Sequence, residues 1–349
     1  MTYRKEFSPK TILISRTDSI GDVVLTLPLA SALRKQYPKS SILFLGSAYT
    51  RDVVACCNDV DGFVDWSDIR KMDQESQINF LSSLHVGVIL HVFPDKEIAS
   101  LAKKAKIPFR LGTSHRVFHW FYCNHLVNLS RKSSPLHEAQ LNLLLCDSLL
   151  HHGLCSFEEL NSLMHFHADQ SKAKDINLID PLKYNLVIQA KSKGSAREWG
   201  LDNFVELIKL LPSNQFKIFI SGTKAEGNMV RQALIEPFGD KVTDLTGRFS
   251  LAELITFLSH CDGIVAASTG PLHLSAALGI HAIGLYPPIK PMHPGRWRPI
   301  GNNVRVFVSE KDCDSCRKQL SCACMRSISP TDVASYLIEI AQKKQLACK

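Results

Sequence analysis

The sequence predicts two α/β domains, each built on a mainly parallel sheet. Short β-rich runs alternate with helix-period segments from Thr11 onward, the pattern of successive βαβ units. The alternation lapses into polar residues between 165 and 183, around Pro181, and then restarts. A polar, proline-bearing stretch between periodic segments reads as a linker. The length of 349 residues also favours two cores over one. The expected boundaries are 1–170 and 183–349.

In the first domain, 11–16 reads as the opening strand, 23–36 as a helix and 41–46 as the second strand. Further strands are expected at 62–66, 86–92 and 109–111, with helices at 74–83 and 96–105. The stretch 137–152 reads as one long helix, because Leu141, Leu144, Leu145 and Leu149 recur at helical spacing. In the second domain, strands at 184–189, 216–221, 263–267 and 282–285 interleave with helices at 201–211, 225–235, 251–258 and 271–278. A last helix is expected over 331–342, after the Ser329-Pro330 start signal, and it can pack back on the N-terminal domain.

Apolar residues make up 45% of the chain and charged residues 21%, the balance of a globular protein throughout. The net charge of +8 suits an anionic substrate or an anionic membrane surface. The basic residues are spread along the chain without a DNA or RNA recognition motif, so nucleic acid is not an expected partner. The start of the chain has no apolar h-region, and no run of 18 apolar residues occurs. The expected location is the cytoplasm. Residues 263–288 come nearest to a membrane span, but Ser268, Thr269, Pro271, His273, Ser275 and His281 interrupt them. Among eleven cysteines, Cys146 and Cys261 sit in apolar periodic segments, which suits a reducing compartment. Cys313, Cys316, Cys322 and Cys324 are dense enough to raise a zinc site, but the second pair lacks the usual two-residue spacer. A thiol-rich surface loop is the other reading, and no metal is assigned.

Missing signatures narrow the field. No G-x-G-x-x-G follows a strand and no G-x-x-x-x-G-K-[ST] occurs. His137-Glu138 begins like a zinc-protease motif, but Leu141 stands where the second His belongs. Strand-to-helix junctions remain, and in a doubly wound domain these are where ligands bind. At the first, Gly21-Asp22, the carboxylate is either a helix N-cap or a base that takes a proton from an attacking hydroxyl. At the second, Ser268 and Thr269 offer hydroxyls, Gly270 an unhindered backbone and His273 a further donor to an anion at a helix N-terminus, with Pro271 suited to the first turn. A third cluster, Lys191-Ser192-Lys193-Gly194-Ser195-Ala196-Arg197, is either a diphosphate clamp or a solvated basic loop.

Together these segments resemble glycosyltransferase family 9, the lipopolysaccharide heptosyltransferases. Arg16 with Ser19-Ile20-Gly21-Asp22 and on to Pro28 is similar to the family's N-terminal signature. Ser195-Ala196-Arg197-Glu198-Trp199 with Asn203-Phe204 matches its mid-chain motif, and Ser268 to Gly279 its nucleotide-sugar motif. The resemblance implies a GT-B fold, two Rossmann-like domains facing a cleft, and inverting transfer without metal or other cofactor. ADP-heptose or a related nucleotide sugar would be the donor and a lipid-linked saccharide of the lipopolysaccharide core the acceptor, met at the inner membrane surface.

By the same resemblance Asp22 is the general base. Ser192 and Arg197 would hold phosphate, Glu226 the ribose and Phe249 the adenine, while Thr269, Gly270 and His273 would meet diphosphate and sugar. Ser268 stands where relatives often carry Asp, a departure that bears on the donor sugar. Lys96, Arg110, Arg116, Arg131 and Lys132 are candidates for the phosphates of the acceptor. Transfer of another sugar into a surface glycan, a non-hydrolysing nucleotide-sugar epimerase and a silent nucleotide-sugar binder are the alternatives.

Overall fold

The computed structural model describes residues 8–151, 153–290, 292–309 and 322–347. The chain divides into two compact units, Met1–His167 and Ala168–Lys349. In the first unit β1 (Thr11–Ser15), β2 (Ser41–Gly46), β3 (Gly62–Asp65), β4 (Val86–His91), β5 (Phe109–Thr113) and β6 (His125–Val127) form one parallel sheet in the order β3-β2-β1-β4-β5-β6. The chain builds outward from β1 on one side and then crosses to β4, so the order reverses between these two strands. All five residues of β1 are buried, because helices cover both faces of a parallel sheet and leave no solvated side. Leu13, Leu45 and Ile89 meet Ile98, Leu101 and Ala102 of helix Lys96–Lys104 on one of those faces.

The second unit repeats the scheme. Strands β7 (Tyr184–Gln189), β8 (Phe216–Ile220), β9 (Val242–Asp244), β10 (Gly263–Ala267), β11 (His281–Tyr286) and β12 (Val304–Val308) run parallel in the order β12-β11-β10-β7-β8-β9. Here the reversal falls between β7 and β10. Helix Pro330–Ala347 contributes Val333, Leu337 and Ile340 to the same core as Leu186, Phe204 and Leu207. These side chains pack within the second unit. The Trp199 indole donates to Ile328 O at 3.0 Å and fastens the approach to that helix.

Three expectations change. The helix expected over 23–36 is two helices, Ile20–Val24 and Leu27–Gln36, since Pro28 has no N–H to continue a ladder and instead occupies the first turn of the second. The one expected over 137–152 breaks at Cys146 into Glu138–Leu145 and Asp147–Leu150. Strands β6, β9 and β12 were not foreseen. All three lie at sheet edges, where β6 and β9 are three residues long and β12 is only half-buried.

Candidate functional site

At the end of β1 the chain turns through Arg16 into helix Ile20–Val24. Asp22 is the third residue of that helix and Ser19 holds the N-cap position, so the N-cap reading of Asp22 does not hold. The Ser19 hydroxyl donates to Asp22 Oδ2, and the Arg16 guanidinium donates to Asp22 Oδ1. Both carboxylate oxygens are therefore oriented, while the side chain keeps about a fifth of its surface open.

Arg16 is the hub of this junction. It is 3% exposed, and its fork reaches Asp18 Oδ1 at 2.7 Å and Glu138 Oε1 at 3.0 Å as well as Asp22. Glu138 is itself buried and accepts from Arg131 Nε at 2.9 Å, and Asn142 Oδ1 accepts from Arg131 Nη2 at 2.9 Å. A buried carboxylate must be paired; here it takes two guanidiniums. Burial pushes the Asp18 carboxyl up to about 6, with the charge of Asp22 adding to the rise and Arg16 opposing it. Sequence reasoning gave Glu138 and Asn142 no role. A carboxylate and an amide one helical turn apart, on one face of a leucine-rich helix, were the available signal.

Beside this, Ser15 at the end of β1 stands in register with His91 at the end of β4. Neither His91 ring nitrogen nor Ser15 Oγ has a hydrogen-bond partner among the described residues. The His91 ring lies 5.6 Å from that of His119, whose Nδ1 sits 2.9 Å from Thr113 O. Burial, then the neighbouring His119 and Arg110, hold His91 down to about 3, so it is neutral.

In the second unit the corresponding positions follow β7 and β10, which pair directly. After β10 comes helix Gly270–Ala277 with Thr269 at its N-cap and Pro271 in its first turn. Thr269 makes no side-chain cap bond; its Oγ1 is buried without a partner among the described residues. Gly270 opens the helix, and His273, also buried, closes its first turn through a 3.4 Å bond from its N–H to Thr269 O. Ser268 is hydrogen-bonded to the Tyr286 phenol, whose O–H donates to Trp297 O at 2.7 Å. The group that departs from the family pattern is thus tied to the segment after β11.

The loop after β7 folds back on itself. Lys193 and Gly194 both have positive φ, +48° and +81°, and form an exposed turn. Buried Ser192 donates to Ala196 O at 3.0 Å, and Lys191 pairs with Glu198. That ion pair leaves less of the lysine's charge for a ligand than the sequence suggested. Arg197 lies half-buried on the same loop. Glu226 serves as the third residue of a capping box: its Oε2 accepts from Thr223 N at 2.7 Å and Thr223 Oγ1 at 2.9 Å. Phe249 packs against Phe257 with ring centres 5.1 Å apart and planes tilted by 31°, and carries Lys174 Nζ over its face at 5.8 Å.

The acceptor candidates differ among themselves. Arg110 donates to the backbone oxygens of Tyr122 and Ile107, and Arg131 to Glu138, so both brace the fold. Lys96, Arg116 and Lys132 are exposed, with Lys96 opening the helix after β4. Cys322 and Cys324 are buried, and Cys313 and Cys316 lie outside the described residues. Among the described residues no three His, Cys, Asp or Glu side chains cluster to hold a metal. No described helix is long and apolar enough to cross a membrane.

Residues 99–324 match the model of glycosyltransferase family 9 (heptosyltransferase). The chain belongs to glycosyltransferase family 9. It is similar to a candidate glycosyltransferase of Haemophilus influenzae, at 26% identity over 311 residues, 83% of this chain and 86% of that protein. Its fold is that of a family 9 glycosyltransferase from Veillonella parvula, with a TM-score of 0.80 at 19% identity, over 97% of this chain and 99% of the other. It is also that of E. coli ADP-heptose lps heptosyltransferase II, with a TM-score of 0.74 at 17% identity, over 96% and 99%. The two six-stranded sheets are therefore the GT-B pair of this enzyme family, and the chain is a glycosyltransferase.

Proposed function

We propose that this family 9 enzyme moves heptose, with inversion, from ADP-heptose to a saccharide of the lipopolysaccharide core. The acceptor would be borne on lipid at the cytoplasmic face of the inner membrane. One observation carries the reading: in each unit the family motifs stand at carboxyl ends of strands where the order reverses, β1 in the first and β7 and β10 in the second. Those are the ligand positions of open α/β sheets. In the second unit they include a buried hydroxyl, that of Thr269, without a partner among the described residues and at a helix N-terminus, the feature a diphosphate would satisfy.

In the proposed reaction the acceptor hydroxyl loses its proton to Asp22, held in place by Arg16 and Ser19. Its oxygen attacks the anomeric carbon, and the bond from that carbon to the diphosphate breaks. Negative charge then grows on the leaving diphosphate, where Thr269, the Gly270 N–H and Arg197 stabilise it. The ribose would meet Glu226, the adenine Phe249, and the remaining donor contacts would fall to Ser192, Ser268 and His273. Lys96, Arg116 and Lys132 are the acceptor cations this reading retains.

The test is ADP release from ADP-heptose by purified protein. Release should depend on added lipid acceptor, and Asp22→Asn should keep donor affinity while losing about 100- to 10,000-fold in turnover. Release without acceptor, near-normal turnover of the variant, or thermal stabilisation by UDP- or GDP-sugars but not ADP-sugars would each defeat the reading.

A further inference from the structure

Helix Val117–Tyr122 turns its apolar side outward. Val117, Trp120 and Phe121 fall at i, i+3 and i+4, on one face, and are 77, 64 and 66% exposed. The opposite side is anchored. His119 is buried and bonded to Thr113 O, and Arg110 Nε donates to Tyr122 O at 2.7 Å. Trp120 Nε1 donates to Ser114 O at 2.9 Å, which fixes the indole by its polar edge while the ring stays in solvent. Single exposed apolar residues are ordinary, but three on one anchored turn require a partner.

The surroundings state what that partner is. From Ile98 to His137 the chain carries seven Lys and Arg and no Asp or Glu. Lys103 Nζ donates to Phe121 O at 2.9 Å, placing a cation beside the apolar face. Exposed Arg116 immediately precedes the helix. Lys104 and Tyr122 also line a groove of about 590 Å³ with Lys96, Trp66, Arg70 and Glu97, the last two paired with each other at 3.1 Å. Aromatic rings flanked by cations suit the interfacial layer of an anionic bilayer, where rings sit at headgroup depth and each basic group adds attraction. A second copy docking by the same face would set these cations against their own counterparts, with no acid in the segment to pair them.

We infer that this helix docks the enzyme on an anionic phospholipid surface. Val117, Trp120 and Phe121 enter the interface, and Lys103 and Lys104 meet headgroup phosphates. The inference rests on the proposed lipid-borne acceptor only in that such an acceptor gives the enzyme a reason to be there.

The test uses the full chain with vesicles of phosphatidylcholine alone or mixed with phosphatidylglycerol. The protein should sediment with the mixed vesicles, and its tryptophan emission should shift to the blue through Trp120, since Trp66 and Trp199 are already buried and Trp297 is half-buried. Replacing both exposed rings, Trp120→Ser with Phe121→Ser, should weaken binding by about tenfold or more. Thermal midpoint, nucleotide-sugar affinity and transfer to a delipidated acceptor should not change. Wild-type protein that stays in the supernatant, a double variant that binds as well as wild type, or vesicle-independent self-association lost in the double variant would overturn the inference. Wild-type protein that binds vesicles yet transfers no sugar to either acceptor form would support the docking surface and defeat the proposed reaction instead.

Discussion

Arg16 shows what a single residue can carry that its neighbours in sequence do not reveal. Its position in the N-terminal motif was plain, but Glu138 lies 122 residues away, and a buried ion pair becomes visible only when both strands of the argument share a fold. His91 is a second such case. Its folded pKa is depressed to about 3, chiefly by burial, so the unfolded chain takes up a proton near pH 6.5 that the folded one refuses. That contribution to stability is complete above about pH 6.5 and is lost as pH falls toward 3. Comparing thermal midpoints of the native protein and His91→Phe across this range isolates it from the carboxylates. The native protein should lose stability more steeply on acidification, by up to about one proton in the slope. Parallel curves would mean that His91 is solvated.

At the scale of elements, the central strands were legible because burial on both faces leaves continuous apolar runs such as those of β1 and β10. Edge strands lack that signal. In β12, Arg305 is exposed between half-buried neighbours, so the run is not continuously apolar. Helix Gly270–Ala277 was legible for a different reason, its proline after small and hydroxyl residues. The sequence could not say that Thr269 leaves its hydroxyl unused by the helix it caps, since that depends on the side-chain rotamer. A stability measurement exploits this. Thr269→Val keeps the shape and removes a hydroxyl with no partner among the described residues, so the thermal midpoint should hold or rise slightly. Donor affinity should fall by about tenfold, the worth of one hydrogen bond to a charged group. A variant that loses stability but binds donor normally would make Thr269 a structural residue.

Across the whole molecule, the three motif clusters were readable because family 9 places them at strand exits, and strand exits are local in sequence. What each cation does there was not readable, since Lys191 and Glu198 lie seven residues apart and their pairing depends on how the loop folds. This bears on how a diphosphate leaving group is neutralised. On the proposed reaction, compensation would come from Arg197, from exposed Lys193 and from the end of helix Gly270–Ala277, where the helix N-terminus amounts to about half a positive charge. These fixed groups act without reorganising as charge develops, which is what a bound divalent ion would otherwise supply. Transfer should therefore survive excess EDTA at fixed donor and acceptor, and Arg197→Ala should weaken donor affinity under the same conditions. Complete loss restored by magnesium or manganese would refute this division of charge. Slow loss restored only by zinc, with a falling thermal midpoint, would separate a structural role for the cysteines at 313, 316, 322 and 324 from the chemistry of transfer.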